Sequence, residues 1–133
     1  MVFVDTGAFL ARYLARDEHY KRAIAAWADL AGTPLFTSNH ILDETATLLG
    51  RRAGHSFAAD RMDNIYGSQT IEILYSTKAD ELEALRWFRK FSDQRVSFTD
   101  CISFTLMKRL RIPVAFTFDQ HFTRVGFRSV GLP

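Results

Sequence analysis

Four acidic residues have the type and the placement needed to bind a divalent cation. Asp5 and Asp119 each come directly after an apolar run typical of a buried strand. Glu44 lies at the edge of the apolar stripe of a predicted helix, and Asp100 lies in the first turn of another. Carboxylates packed together repel each other and have raised pKa values unless a cation lies among them. If the fold brings these four acids together, they form a cation site.

The ligand types restrict which cation and which chemistry fit. Oxygen ligands without a cluster of His or Cys favour Mg²⁺ or Mn²⁺, and such ions polarise phosphates and activate water. A single cysteine, Cys101, provides no basis for a zinc or iron–sulfur site. The four histidines show no paired ligand spacing, and His121, two residues after Asp119, is predicted to pack in a turn. No glycine-rich phosphate loop is present, so a nucleotide cofactor is not expected.

Each of these acids also has an ordinary structural explanation. Asp5 and Asp119 suit helix N-caps or Asx-turns, and an acid at Asp100 stabilises the helix dipole. Glu44 could form a buried salt bridge with an arginine, because a carboxylate at the margin of a buried face must be paired, protonated or coordinated. Neighbouring Asp43 points to the solvated side of the same helix. The functional interpretation therefore depends on convergence of the four.

The elements that must position these acids alternate along the chain between short strands and helices. Strands are predicted at 2–4, 35–37, 70–75, 114–118 and 127–130. Helices are predicted after the first strand and at 18–31, 38–52, 56–66, 77–91 and 99–111, with N-caps at Ser38, Thr77 and Thr99. The pattern predicts a single α/β domain over 1–133, with three α/β/α layers and a small, mostly parallel sheet. Ligands of such sheets bind beyond the carboxyl ends of the strands.

Composition excludes several classes of protein. The 133 residues are 47% apolar and 24% charged, which is typical of one globular domain and excludes disorder. No apolar run reaches the ~20 residues of a membrane span. The N-terminal segment carries Asp5 and Arg12 and has no basic leader, so it is predicted to be a strand and helix rather than a signal peptide. One cysteine predicts a reducing, cytoplasmic compartment.

The distribution of the charged residues is more informative about ligands than the net charge of the chain. The net charge is only +2, but 13 of the 17 basic residues are arginine, which favours contacts with phosphate or carboxylate. If the four acids share one site, the other charged residues, 17 basic against 11 acidic, leave a surface of about +6. The sequence thus predicts a basic protein around an acidic site.

Four segments of the chain resemble the PIN-domain nucleases, most closely the small VapC-type toxins of toxin–antitoxin pairs. They cover residues 2–6, 37–45, 96–104 and 116–122, followed by Gly126 and Phe127, and the last two segments are the most specific. The resemblance implies that Asp5 and Asp100 contact the principal Mg²⁺ or Mn²⁺ and that Glu44 and Asp119 support it. It also implies that the hydroxyls of Thr6 and Thr117 order the site.

The same resemblance implies an activity and partners. Members of this family hydrolyse the RNA backbone, often at one site in a structured transfer or ribosomal RNA. They are usually homodimers, inhibited by an antitoxin whose C-terminal segment blocks the acidic pocket. Basic candidates for holding the rest of the RNA backbone are Arg51, Arg52, Arg86, Arg89, Lys90 and Arg95. The alternative explanation for each of these basic residues is a solvated helix face.

Two alternative functions fit an α/β domain of this size. A phosphoacceptor receiver domain has a similar size and an acidic Mg²⁺ pocket, but it requires clustered acids after its first strand and a late lysine. Here Asp5 is followed by Thr6 and Gly7, and no lysine follows Lys108. The non-enzyme alternative is a PIN fold that serves as an RNA-binding or protein-interaction module. Such modules usually lose one or more site acids, whereas all four are present here.

Overall fold

Five short strands form one parallel sheet at the centre of the molecule. The structure, a computed structural model, describes residues 1–133. The strands are β1 (Val2–Val4), β2 (Leu35–Ser38), β3 (Ile71–Leu74), β4 (Val114–Phe116) and β5 (Arg128–Val130). Their order in the sheet is β3-β2-β1-β4-β5, and all four strand pairs are parallel. The predicted α/β class and mostly parallel sheet are confirmed.

Seven helices connect and flank these strands. They are α1 (Thr6–Tyr13), α2 (Tyr20–Asp29), α3 (Asn39–Ala53), α4 (His55–Tyr66), α5 (Lys78–Lys90), α6 (Phe98–Leu110) and α7 (His121–Arg124). Parallel strands are joined almost always by right-handed crossovers, which place α1–α4 on one face and α5–α7 on the other. The helix contacts agree, since α1 packs on α2 and α3, α3 packs on α4, and α5 packs on α6. None of these helices combines the length and apolar character that crossing a membrane requires.

The strand order places a topological switch point between β1 and β4. From β1 the chain moves outward through β2 to β3, then returns to the other side of β1 and continues through β4 to β5. The connections after β1 and β4 therefore diverge to opposite faces of the sheet. This divergence opens a crevice at the carboxyl ends of these two strands, where ligands of open α/β sheets bind.

The core that supports this edge is rich in aromatic rings. Twenty-six buried apolar residues form one cluster across both faces of the sheet. Phe104 of α6 is fully buried, and its ring centroid lies 5.0 Å from that of Phe122 of α7. On the other face Trp27 of α2 lies 5.1 Å from Phe116 of β4, and its indole N–H donates to the carbonyl of Ala8. These contacts fix α6, α7 and α1 relative to the ends of the strands.

The buried face of α2 differs from the one that its apolar spacing favours. Ile24, Trp27, Ala28 and Ala31 fall at helical spacing, but of these only Trp27 packs against the core. In the structure the buried residues of this segment are Ala23, Ala26 and Leu30, and Ile24 is 42% exposed. Small residues face inward because α2 packs closely on α1.

Helices α5 and α6, which lie on the same face of the sheet, each begin with a capping box. Thr77 and Asp80 form the predicted box of α5. The N-cap of α6 is Ser97 and not the predicted Thr99, because Asp100 at the third helical position completes a box with Ser97. Asp80 also binds Arg109 through two hydrogen bonds of 2.8 and 3.0 Å, which ties α5 to α6. Burial raises the pKa of Asp80, but Arg109 and Thr77 outweigh burial and leave this pKa below its usual value.

Strand β4 is shorter than predicted and ends at Phe116 rather than Phe118. The Thr117 hydroxyl accepts a hydrogen bond of 3.0 Å from the backbone N–H of Asp119, which turns the chain out of the sheet. Asp119 therefore lies in a turn three residues beyond the strand and does not follow the strand directly.

Candidate active site

Thr117 joins the carboxyl ends of the two central strands. Its hydroxyl donates to Oδ2 of Asp5 at 2.8 Å and accepts from the backbone N–H of Asp119 at 3.0 Å. The backbone N–H of Asp5 in turn donates to the carbonyl of Phe116 at 3.0 Å. Thr117 is fully buried and Asp5 is 6% exposed. The structure thus brings Asp5, Thr117 and Asp119 together at the switch point.

Asp100 reaches the same edge from the first turn of α6. Its backbone N–H donates to Oγ of Ser97 at 3.0 Å, and its Oδ2 accepts from the backbone N–H of Ser97 at 3.1 Å. The capping box occupies one carboxylate oxygen and fixes the side chain. The dipole of α6 also favours negative charge at this position. Asp100 therefore has a structural role in the helix, and its other oxygen, Oδ1, makes no hydrogen bond within the chain.

Glu44 approaches from α3, on the opposite face of the sheet. Ser38 caps this helix by accepting a hydrogen bond of 3.2 Å from the backbone N–H of Ile41. Glu44 is half-buried and forms no ion pair, so the salt bridge considered from the sequence is absent. Its neighbour Asp43 is exposed, as predicted.

The charges of neighbouring site acids, as well as burial, raise the pKa values of Asp5 and Asp100. The pKa of Asp5 is raised to about 8, mainly by burial and then by the negative charges of Asp100 and Asp119. Hydrogen bonds from the Thr117 side chain and the Thr6 backbone lower this pKa and offset part of the rise. Burial likewise raises the pKa of Asp100 to about 6, with further contributions from Asp119 and Glu44. No lysine or arginine forms an ion pair with any of the four. Their negative charge is therefore uncompensated by the chain's permanent cations.

The residues present fit a hard divalent cation. The donors are carboxylate oxygens, which Mg²⁺ and Mn²⁺ prefer. The hydroxyl of Thr6, next to Asp5, is buried without a hydrogen-bond partner, and so is the hydroxyl of Thr45, next to Glu44. Buried unpaired hydroxyls are rare and indicate a missing water or ligand. As the side chains lie, no three acid, His or Cys groups form a ready-made metal cluster.

Sequence reasoning missed part of this site. His121 was predicted to pack in a turn, but its Nδ1 lies 2.7 Å from Oδ1 of Asp119 and its backbone N–H donates to the same oxygen at 2.8 Å. Thr45 was not considered, although its place beside Glu44 was a signal. Gly131 also supports the site: it has φ +107°, and a Cβ there would lie 2.8 Å from the carbonyl oxygen of Thr117. Only glycine allows this close approach without strain.

The basic residues considered for RNA binding lie on the surface in two places. Arg51 and Arg52 are exposed at the C-terminal end of α3, about 10–12 Å along the helix axis from Glu44. The others are exposed in or after α5: Arg86, Arg89, Lys90 and Arg95. Arg95 precedes the Ser97 cap by two residues, whereas the remaining five lie farther along the chain from the nearest site acid. None of the six contacts the four acids in the structure.

A cavity of about 530 Å³ lies away from the four acids. It lies among α1, α2, α4 and the starts of β2 and β3, where Tyr13, Trp27 and Ile71 line it. None of the four acids lines it.

Comparison with known proteins identifies the family. The model of the PIN domain matches residues 2–128. The chain belongs to the PIN-domain family. It is 36% identical over 130 residues to the 23S rRNA-specific endonuclease VapC20 of Mycobacterium tuberculosis, with 98% of each chain covered. It is also 30% identical over 125 residues to a VapC ribonuclease of Archaeoglobus fulgidus, covering 90% of this chain and 78% of the relative.

Solved structures agree with this membership in the PIN-domain family. The crystal structure of Mycobacterium tuberculosis VapC20, described as a sarcin–ricin loop cleaving toxin, superposes with a TM-score of 0.87. The identity is 34%, and 96% of each chain is covered. FitAcB from Neisseria gonorrhoeae superposes with a TM-score of 0.68 at 13% identity, over 97% of this chain and 96% of that one. This second likeness concerns the fold alone.

Proposed function

We propose that this chain is an Mg²⁺- or Mn²⁺-dependent endoribonuclease that hydrolyses phosphodiester bonds of structured RNA. One observation supports the proposal: at the switch point of the sheet the pKa values of Asp5 and Asp100 are raised by burial and by neighbouring carboxylates, which include Asp119 and Glu44. Membership in the PIN-domain family and similarity to proteins named as ribonucleases support the same activity.

The surroundings of the four acids suggest different roles in holding the cation. Asp5 and Asp100, the two with raised pKa values, would hold the principal cation, with Glu44 and Asp119 supporting it. When bound, the ion supplies positive charge against the phosphate in the transition state and makes a nearby water more acidic. Thr117 keeps Asp5 and Asp119 in fixed relative positions through its two hydrogen bonds.

The target and the partners of the chain belong to the same proposal. VapC20 is named for specificity toward 23S rRNA and cleavage of the sarcin–ricin loop, so a structured ribosomal or transfer RNA is the expected class of substrate. We propose that the chain is the toxin of a toxin–antitoxin pair, inhibited by an antitoxin that covers the acidic edge. A homodimer is the proposed state of the free toxin.

The decisive test is cleavage of a panel of structured RNAs, including transfer RNAs and a sarcin–ricin loop fragment. We expect discrete cleavage in Mg²⁺ or Mn²⁺ that EDTA abolishes. Asp100→Asn should reduce the cleavage rate by at least about 100-fold, because a ligand charge is lost. The amide oxygen of Asn can still accept the Ser97 hydrogen bond, so the cap of α6 is preserved.

Asp43→Asn is the matched control, since Asp43 is an exposed acid beside Glu44. This variant should cleave at the wild-type rate. Expression of the wild type should arrest growth, and expression of Asp100→Asn should not. Cleavage that persists in EDTA would refute the metal dependence. Folded wild-type protein that cuts no RNA of the panel would favour the alternative, a PIN-fold RNA-binding or interaction module.

A further inference from the structure

His121 makes two hydrogen bonds to one oxygen of a site acid. Its backbone N–H and its ring Nδ1 reach Oδ1 of Asp119 at 2.8 and 2.7 Å. The His121 side chain is 18% exposed and that of Asp119 is 32% exposed. The next residue, Phe122, is fully buried and packs on Phe104. The imidazole is therefore held in place by both the short helix α7 and the core.

The two hydrogen bonds from His121 to Asp119 have different structural effects. The backbone bond alone is enough to make the Asx-turn that begins α7. The ring bond adds nothing to that turn, but it fixes the torsion of the carboxylate. Because an ionised carboxylate oxygen only accepts hydrogen bonds, the ring proton lies on Nδ1.

The bonds also determine which oxygen of Asp119 is free. Two donors occupy Oδ1, and no donor of the chain reaches Oδ2. The Thr117 hydroxyl fixes the backbone of Asp119 from the other side. The carboxylate is therefore held with a single oxygen available to a ligand.

We infer that His121 is a positioning residue: through Nδ1 it holds the Asp119 carboxylate so that Oδ2 faces the cation. This inference rests on the proposed function, since it assigns Asp119 to a cation. Carboxylates that bind metals are commonly oriented by such hydrogen bonds, and removal of an orienting group typically weakens metal affinity about 10–100-fold.

The test uses the full chain without RNA and measures Mn²⁺ affinity by titration calorimetry. In His121→Asn the side-chain amide nitrogen occupies the place of Nδ1, whereas in His121→Gln it occupies the place of Nε2. We expect His121→Gln and His121→Ala to weaken Mn²⁺ binding by roughly 10-fold. His121→Asn should stay within about 3-fold of the wild type, because it retains the donor to Asp119.

His55→Ala, a change at an exposed histidine, is the control and should leave Mn²⁺ affinity unchanged. In Asp119→Asn the further change His121→Ala should have no additional effect, because the two residues act as one unit. If His121→Ala proves unstable, the comparison of Asn with Gln carries the test. Equal Mn²⁺ affinity in both, or equal loss in both, would overturn the positioning role.

The Mn²⁺ titrations distinguish failure of the positioning role from failure of the proposed nuclease activity. Loss of Mn²⁺ affinity in the Gln variant but not in the Asn variant supports the positioning role even if no RNA is cut. Wild-type protein that binds no Mn²⁺ overturns both proposals. Wild-type protein that binds Mn²⁺ and cuts RNA, with no effect of any His121 variant, overturns the positioning role alone.

Discussion

At the scale of single residues, the site holds carboxylates that folding makes unfavourable to ionise. Asp5 is 6% exposed, and its neighbours Asp100 and Asp119 add negative charge. Three of the acids each have one oxygen engaged by the chain, through Thr117, Ser97 or His121. The side chains are thus oriented before a ligand binds, and the electrostatic repulsion remains for a cation to relieve.

This repulsion predicts how stability depends on pH in EDTA. The pKa of Asp5 rises from 3.8 to about 8 on folding, so between these values the native state binds more protons than the unfolded state. The free energy of unfolding therefore falls as pH rises through this range, and the loss is complete above about pH 8. We expect the Tm of the wild type to fall between pH 5.5 and 8.5 by at least about 4 °C, or roughly 1 kcal/mol.

Asp5→Asn removes the titrating group but keeps an oxygen that accepts from Thr117. This variant should show a flatter dependence of Tm on pH, measured by calorimetry, whereas Asp43→Asn should match the wild type. Mn²⁺ should raise the Tm of the wild type more at pH 8.5 than at pH 5.5, because protons compete for the same oxygens. An Asp5→Asn profile parallel to that of the wild type would contradict the burial of an ionisable group here.

Asp5 and Asp100 stand out in the sequence because they lie at a strand end and in a first helical turn, and Glu44 because it lies at the margin of an apolar helix stripe. The resemblance to the PIN-domain nucleases points to the Thr117 hydroxyl, but not to its hydrogen-bond partners or to the His121 ring. The Thr117 hydroxyl and the His121 ring act across the turn after β4, and the sequence pattern extended that strand to Phe118. A local turn that competes with strand continuation leaves little trace in apolar periodicity.

At the scale of elements, prediction succeeded where local chemistry determines the structure. The Thr77 box begins α5 as predicted, because both partners lie three residues apart. For α6 both Ser97 and Thr99 are cap-forming residues, and only the reciprocal bond to Asp100 selects Ser97. In α2, Ala23 and Ala26 face inward although Ile24 is more hydrophobic, because close packing on α1 decides which residues are buried.

One face of α5 is apolar but points away from the core. Leu82, Leu85 and Phe88 are 55%, 36% and 46% exposed, and they share one side of the helix. Such exposed apolar stripes mark interaction surfaces. Glu81 and Arg89 flank the stripe, each four residues from Leu85. If two copies of α5 pack antiparallel about Leu85, Glu81 of one copy meets Arg89 of the other.

The homodimer proposed above is therefore expected to use this face of α5. Glu81→Arg or Arg89→Glu should weaken the dimer by placing like charges together, and the double variant should restore it. Leu85→Glu should produce monomers, because two carboxylates would meet at the two-fold axis. Sedimentation velocity over a range of concentrations measures these states.

Glu83→Arg is the control for this interface, since Glu83 lies on the flank of α5 away from the stripe. It should leave the dimer intact. A wild-type monomer, or a dimer that Leu85→Glu does not weaken, would show that the stripe serves another partner. An antitoxin would then be the first partner to test by co-expression.

At the scale of the whole molecule, the charged residues other than the four acids are mostly basic, 17 against 11. The four acids lie at one end of the sheet, and the exposed arginines and lysines lie on the surrounding helices. A polyanion can therefore be attracted by the surface as a whole while its scissile phosphate requires a cation at the edge. Affinity for RNA and cleavage of RNA become separable properties of the same chain.

Neutralising basic residues should accordingly weaken RNA binding without changing the cation site. Arg86 and Lys90 lie on the exposed flank of α5, outside the Leu85 stripe, and Arg51 and Arg52 lie at the far end of α3. We expect Arg86→Gln with Lys90→Gln to lower affinity for an RNA that the wild type cleaves, measured by fluorescence anisotropy in the Asp100→Asn background. If both residues contact phosphates, the slope of log affinity against log salt becomes shallower by about 1.4–1.8.

Arg51→Gln with Arg52→Gln tests whether the bound RNA extends along α3. A change in the salt slope equal to that of the α5 pair would place RNA across both helices, whereas no change would confine the RNA to the α5 side. Mn²⁺ affinity should be the same in all of these variants, because none of the four side chains contacts the acids. An unchanged salt slope in both pairs would remove them from the RNA-binding surface and leave Arg89 and Arg95 as the remaining candidates.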